Sequence, residues 1–157
     1  MNQHALKLPN VAIRGAARVY SYRHLISFEE TNVVGNVYFS HHVSWQGRCR
    51  ELFLRDYAPD VIEQLRGDLR LVTLSVGCEY FSELWALDEI EIRMSLSHLR
   101  QHRIGLAFDY FVRRGGAETL AARGRQEVGC MRQSAGGLAP TAVPSTLAVA
   151  LAAFAHP

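Results

Sequence analysis

The chain divides by the period of its apolar positions. From Arg18 to Phe28 the residues alternate, Tyr20, Tyr22, His24, Ile26 and Phe28 against Val19, Ser21, Arg23, Leu25 and Ser27. A period of two, rich in aromatic side chains, predicts a strand over about 18–28. A polar stretch follows, in which Asn32, Gly35 and Asn36 tolerate the backbone angles of a loop. His42, Trp45, Gln46, Cys49, Leu52 and Phe53 then recur at helical spacing and predict a helix over about 40–57. Asn36 or Ser40 is its expected cap and Pro59 its stop, with a shorter helix over about 60–66 closed by Gly67.

The remainder reads as strands. Val72, Leu74, Val76, Cys78 and Tyr80 alternate with polar or small neighbours, as do Ile90 to Leu96 and Ile104 to Val112. A fourth, less regular run covers about 118–132. The short links at Gln101-His102 and Gly115-Gly116 predict antiparallel hairpins. Residues 1–17 read as a loose lead-in, 18–133 as the folded domain, and 134–157 as a linker plus a short apolar helix capped by Ser145 or Thr146. The predicted class is α+β, a five-stranded antiparallel sheet wrapped around one long helix. Such a sheet leaves open edges, and pairing with a second copy would cover one, so an oligomer is expected.

Composition narrows the classes. With 17 basic against 15 acidic residues the net charge is only +2, which argues against a nucleic-acid binder. No apolar stretch is long enough to span a membrane, and the N-terminal residues carry no signal-peptide pattern. The three scattered cysteines, Cys49, Cys78 and Cys130, suit reduced thiols used as small buried hydrophobes. The cytoplasm is the expected compartment.

The loop before the long helix holds the most informative chemistry. A glycine and free amides at a helix N-terminus favour an oxyanion or a polarised carbonyl oxygen. Gly35 permitting a turn that Asn32 caps is the plainer alternative. Thr31-Asn32-x-x-Gly35-x-Val37-Tyr38, followed by Trp45 and Arg48-x-Arg50-Glu51, resembles the strand, loop and helix signature of hotdog-fold acyl thioesterases. The order of elements agrees over about residues 18–133, as do Tyr80 and the strand start at Asp88–Ile92.

One position departs from the wider family. Where most of these thioesterases hold an aspartate nucleophile or base, this chain has Asn32, whose amide cannot take a proton at neutral pH. The sequence is similar in this to the thioesterases of enediyne polyketide pathways. That resemblance implies release of a polyene β-ketoacyl chain from the acyl carrier protein of an iterative polyketide synthase. The freed β-keto acid can then lose CO2 to give a methyl ketone. It implies Asn32 and a helix arginine as the catalytic pair, Arg50 in preference to Arg48. Gly35, Val37 and Tyr38 are the implied substrate-binding positions; Thr73, on a strand expected to run near the helix, offers a hydroxyl to the substrate, with a plain strand threonine as the alternative. It also implies a homo-oligomer, a dimer of dimers, with an apolar tunnel at the subunit interface between the aromatic first strand and the long helix. No metal and no cofactor enter this chemistry.

A guanidinium can donate to both carbonyl oxygens of a β-ketothioester, or to the oxyanion formed on attack. Other candidates weigh less. Glu51 is expected in a surface ion pair, and His41 and His42, about 100° apart on a helix, cannot ligate one ion together. Two rival readings stay open: an acyl-CoA thioesterase, and a non-catalytic hotdog module that binds acyl chains. A basic cluster for the phosphates of coenzyme A is not obvious, which favours the carrier protein.

Overall fold

The computed structural model describes residues 11–14 and 17–155. Its strands are β1 (Val11–Arg14), β2 (Ala17–Leu25), β3 (Leu69–Tyr80), β4 (Glu89–Arg100), β5 (Arg103–Arg114), β6 (Ala117–Ser134) and β7 (Gly137–Pro140). The helices are α1 (Ser40–Tyr57), α2 (Pro59–Arg66) and α3 (Ser145–Ala152). The sheet runs β1-β2-β4-β5-β6-β3, antiparallel throughout, with β7 beside the end of β6.

The predicted five strands form the centre of this sheet. Trp45, Cys49 and Phe53 of α1 are buried with Tyr20, Ile92, Met94, Phe108 and Tyr110 of the strands. That is the amphipathic face expected from the helical spacing. The β5–β6 link turns through Gly115 and Gly116, with φ of 55° and 80°, the left-handed pair that a tight hairpin favours.

Several expectations are corrected. Residues 11–14, expected in the lead-in, form β1 on the outer edge of β2, a segment too short to show a period; the rest of that lead-in before Val11 lies outside the described residues. Within the expected linker, Gly137–Pro140 form β7, because β6 outruns β5 and leaves Met131–Ser134 open to pairing. β2 stops at Leu25 rather than Phe28, since the Glu30 carboxylate captures the Ser27 N–H and hydroxyl and turns the chain. No side chain caps α1 or α3. The Asn36 amide instead donates to Glu83, Ser40 and Ser145 are already helical, and Thr146 donates to Asp60.

Glu30 fixes the loop that precedes α1. Its carboxylate, 7% exposed, accepts from Trp45 Nε1 at 2.8 Å, from His24 Nε2 at 2.8 Å and from the Ser27 N–H at 2.9 Å. Behind His24, Tyr22 lies 3.1 Å from Nδ1 and accepts from Arg48 at 3.4 Å. Every group is satisfied if Tyr22 donates to Nδ1 and the Nε2–H donates to Glu30. Burial alone would push the Glu30 carboxyl up, but the bonds from Ser27, His24 and Trp45 outweigh it and bring its pKa to about 2.

The depressed pKa sets an acid limit on stability. Between the ordinary value of 4.5 and about 2 the carboxylate contributes on the order of 3 kcal/mol, present above pH 4.5 and lost as the pH falls through 2. Glu30→Gln should therefore lower unfolding stability by about 2–3 kcal/mol at pH 7. Urea titrations should show the gap between wild type and variant closing toward pH 2; a gap that is constant with pH would refute the assignment.

Candidate active site

The loop expected to carry catalysis folds onto itself. Asn32 Oδ1 accepts the Val34 N–H at 2.8 Å and the Gly35 N–H at 3.2 Å, and the Asn32 N–H reaches the Asn36 carbonyl at 2.9 Å. Gly35 has φ of +102°, a conformation that strains any side chain, and its Cβ position faces the Trp85 ring. The Val37 N–H goes to the Leu84 carbonyl and the Tyr38 N–H to the Glu30 carbonyl. These loop amides, expected to be free for an oxyanion, are thus consumed within the protein. With Oδ1 committed inward, the Asn32 Nδ2 has no acceptor among the described residues and is the donor that remains.

The other implied loop residues divide by depth. Val37 is buried in the core, whereas the Tyr38 ring is exposed against Phe39, with ring centres 4.6 Å apart. Val37 therefore supports the loop from below rather than lining its surface.

Arg50 and Thr73 come together. Arg50 Nη1 donates to Thr73 Oγ1 at 3.3 Å and to Gln126 Oε1 at 3.1 Å, bridging α1 to β3 and β6. Arg50 forms no salt bridge among the described residues, and Glu51, expected in an ion pair, forms none either. Burial lowers the Arg50 pKa, partly opposed by the Glu51 charge. Gln126, 6% exposed, escaped the sequence reading because its strand is irregular in pattern; a polar residue at an inward position was the available signal. Arg48 lies on another side of the helix, exposed, against Tyr22.

Beneath Arg50 is an apolar cavity of about 20 Å³, lined by Phe53, Leu71, Met94, Leu106, Leu147 and Leu151 among others. Aromatic residues of β2 do not line it. Tyr20 instead packs edge-on against Phe53, Tyr57 and Phe154 in the core.

Among the described residues no hydrogen bond joins Asn32 to Arg50. Arg50 lies ten residues into α1, about 15 Å along its axis from Ser40, while Asn32 precedes the helix start. Among the described residues no group of three or more His, Cys, Asp or Glu side chains could hold a metal ion. No described helix is long and apolar enough to cross a membrane.

Comparison with known proteins agrees with this architecture. One solved structure, of the dynemicin thioesterase studied for induced-fit and allosteric effects of polyene binding, is 47% identical; the alignment covers 88% of this chain and 99% of that one, with a TM-score of 0.86. A protein from Pseudomonas aeruginosa strain PAO1 shares the fold at 18% identity, covering 87% of this chain and 91% of its own, with a TM-score of 0.76. A 4-hydroxybenzoyl-CoA thioesterase shares it at 14% identity, covering 86% and 99%, with a TM-score of 0.75. No curated protein matches. Residues 26–151 match the thioesterase-like superfamily, and together with the curled sheet around α1 this establishes that the chain belongs to that superfamily as a hotdog-fold thioesterase.

Proposed function

We propose that this thioesterase hydrolyses a polyene β-ketoacyl thioester presented by the acyl carrier protein of an iterative polyketide synthase in an enediyne pathway. The observation that carries the reading is Arg50, a guanidinium at the rim of an apolar cavity with neutral partners only, Thr73 and Gln126. Its remaining N–H groups suit the two carbonyl oxygens of a β-ketothioester. The 47% identity to the dynemicin thioesterase, a protein that binds a polyene, supports the same acyl class. A cavity of about 20 Å³ has room for a water molecule but not for a polyene chain, so an acyl chain enters only as its walls move apart. The freed β-keto acid can lose CO2 to give a methyl ketone.

The separation of Asn32 from Arg50 supports a site shared between copies. In a homodimer, Asn32 of one protomer and Arg50 with Thr73 of the other would flank one thioester. Two features favour such pairing. The outer edge of β3 is open and carries exposed Leu74 and Val76, and the loop side exposes Phe28, Val33, Val34, Tyr38 and Phe39. A dimer of dimers is the assembly we expect. Static light scattering should give a mass at least twice that of one chain at micromolar concentration, and a stable monomer would remove this part of the reading.

The roles of the two side chains are separable. Arg50→Ala should cost about 2.7–4 kcal/mol in kcat/KM, the scale of one oxyanion donor, and Arg50→Lys should recover only part. Asn32→Asp keeps an acceptor for the Val34 and Gly35 amides but replaces the Nδ2 donor with negative charge. Turnover of a β-ketoacyl carrier-protein thioester should therefore fall, with any gain confined to simple acyl thioesters. Thiol release measured on carrier-protein and coenzyme A forms of one acyl group separates the substrate classes. Wild-type rates in both Arg50→Ala and Asn32→Ala, or preference for the coenzyme A form, would overturn the proposal.

A further inference from the structure

The apolar cavity beneath Arg50 has walls of two kinds. Leu71, Met94 and Leu106 stand on β3, β4 and β5, which antiparallel pairing locks into the sheet, and Phe53 stands on α1. Leu147 and Leu151 come from α3, which lies outside the sheet. The two leucines are one helical turn apart, so they share a face of α3, and both are buried.

Among these walls α3 is the least tied. Within Ser145–Ala152 the one hydrogen bond to another element, among the described residues, runs from Thr146 Oγ1 to Asp60 at 2.6 Å on the surface. The segments on either side are fixed. The Val143 N–H donates to the Gln101 carbonyl at 2.9 Å, and the Leu96 N–H donates to the Phe154 carbonyl at 2.8 Å. The Phe154 ring also packs edge-on against Phe53 and Tyr57. The helix is thus strung between two anchors, and Leu147 and Leu151 are its buried side chains. An element with so few ties opens at lower cost than a strand in the middle of a sheet.

We propose that α3 is the wall that yields when an acyl chain enters, and that Leu147 and Leu151 set how long a chain the site takes. The inference rests on the reading that Arg50 binds the thioester head, since Arg50 and both leucines line the same cavity. With the head held at the guanidinium, a growing tail meets the leucines and must displace them.

The other walls resist for separate reasons. Moving a strand outward breaks its ladder of backbone bonds on both sides in β4, β5 and β6. α1 is pinned along its length, by Trp45 Nε1 to Glu30 at 2.8 Å and by Arg50 to Thr73 and Gln126. By contrast α3 makes its backbone bonds within itself, so a shift of the whole helix keeps them. The rival is Met94, whose flexible, unbranched side chain can repack without any movement of the backbone.

The test uses the full-length chain and the 3-oxooctanoyl, 3-oxododecanoyl and 3-oxohexadecanoyl thioesters of pantetheine, following thiol release. Leu147→Ala and Leu151→Ala each shorten a side chain in the wall. The ratio of kcat/KM for the hexadecanoyl thioester to that for the octanoyl one should rise about tenfold or more, the scale of one methylene in an apolar pocket. Leu151→Phe should lower the same ratio. Thr146→Val cuts the tie to Asp60 and should raise kcat/KM for the longest chain about two- to tenfold, with the octanoyl value unchanged. Val149→Ala, on the exposed face of α3, should leave every value as in wild type. A ratio unmoved in both alanine variants, or moved only by Met94→Ala, would overturn the inference. So would an equal loss at all three lengths in Thr146→Val, because α3 would then be packing alone. Where an alanine variant does not fold, Leu147→Val and Leu151→Val should move the ratio the same way by less, and no movement there overturns the inference too. Hydrolysis by wild type with unmoved ratios removes this inference alone; a wild type that releases no thiol from any thioester removes the functional reading with it.

Discussion

The Glu30 carboxylate holds the site-bearing loop in place. It is almost fully buried and ionised, and it ties three parts of the chain to one point: His24 on β2, Ser27 at the end of that strand, and Trp45 on α1. A buried charge is tolerated only where donors surround it, and here the donors come from the elements that must be held together. Two residues later the chain reaches Asn32, so the direction in which that side chain enters the site follows from how Glu30 is anchored. The Glu30 carbonyl also accepts the Tyr38 N–H, closing the far end of the loop. Removing the charge would loosen the approach to the helix as well as destabilise the core.

The long helix is the second constraint. Its buried face must be covered by the sheet, which fixes where each side chain along it emerges. His42 emerges among Trp45, Tyr80 and Tyr110 near the loop end, whereas Arg50 emerges two turns further on against Thr73 and Gln126. Chemistry at the loop end and chemistry at Arg50 are thus held apart by the rise of the helix itself. The two-copy site proposed above is one arrangement that would bring them together.

Most long elements were legible because each carries a period of its own: two in β2 to β5, and helical in α1. What the sequence hid was short or satisfied at a distance. β1 and β7 span four residues each, below the length at which a period shows, and their positions depend on which edges the longer strands leave open. The helix caps misled because Asn36 and Thr146 found partners, Glu83 and Asp60, 47 and 86 positions away in sequence. At the candidate site, the strand carrying Thr73 was expected to run near the helix that carries Arg50, but the closure of the Asn32 loop on its own amides was not legible. His42 was read as part of the apolar helix face. It does lie there, packed among Trp45, Tyr80 and Tyr110.

The internal satisfaction of the loop also bears on how the oxyanion is stabilised. With the Val34, Gly35, Val37 and Tyr38 amides all engaged, these backbone groups cannot provide the oxyanion hole without unfolding the turn. In the proposed mechanism stabilisation then falls to side-chain donors, Asn32 Nδ2 and the Arg50 guanidinium. Arg50 already bears the cost of partial burial before substrate arrives, since it has neutral acceptors and no carboxylate among the described residues. A counter-ion would have quenched its field in advance. Left unquenched beside an apolar cavity, the charge acts at low local dielectric on whatever negative charge develops on the substrate, with little reorganisation at the moment of reaction. In the proposed two-copy site an asparagine at position 32 suits that arrangement, because an aspartate there would set a carboxylate opposite the Arg50 of the other copy.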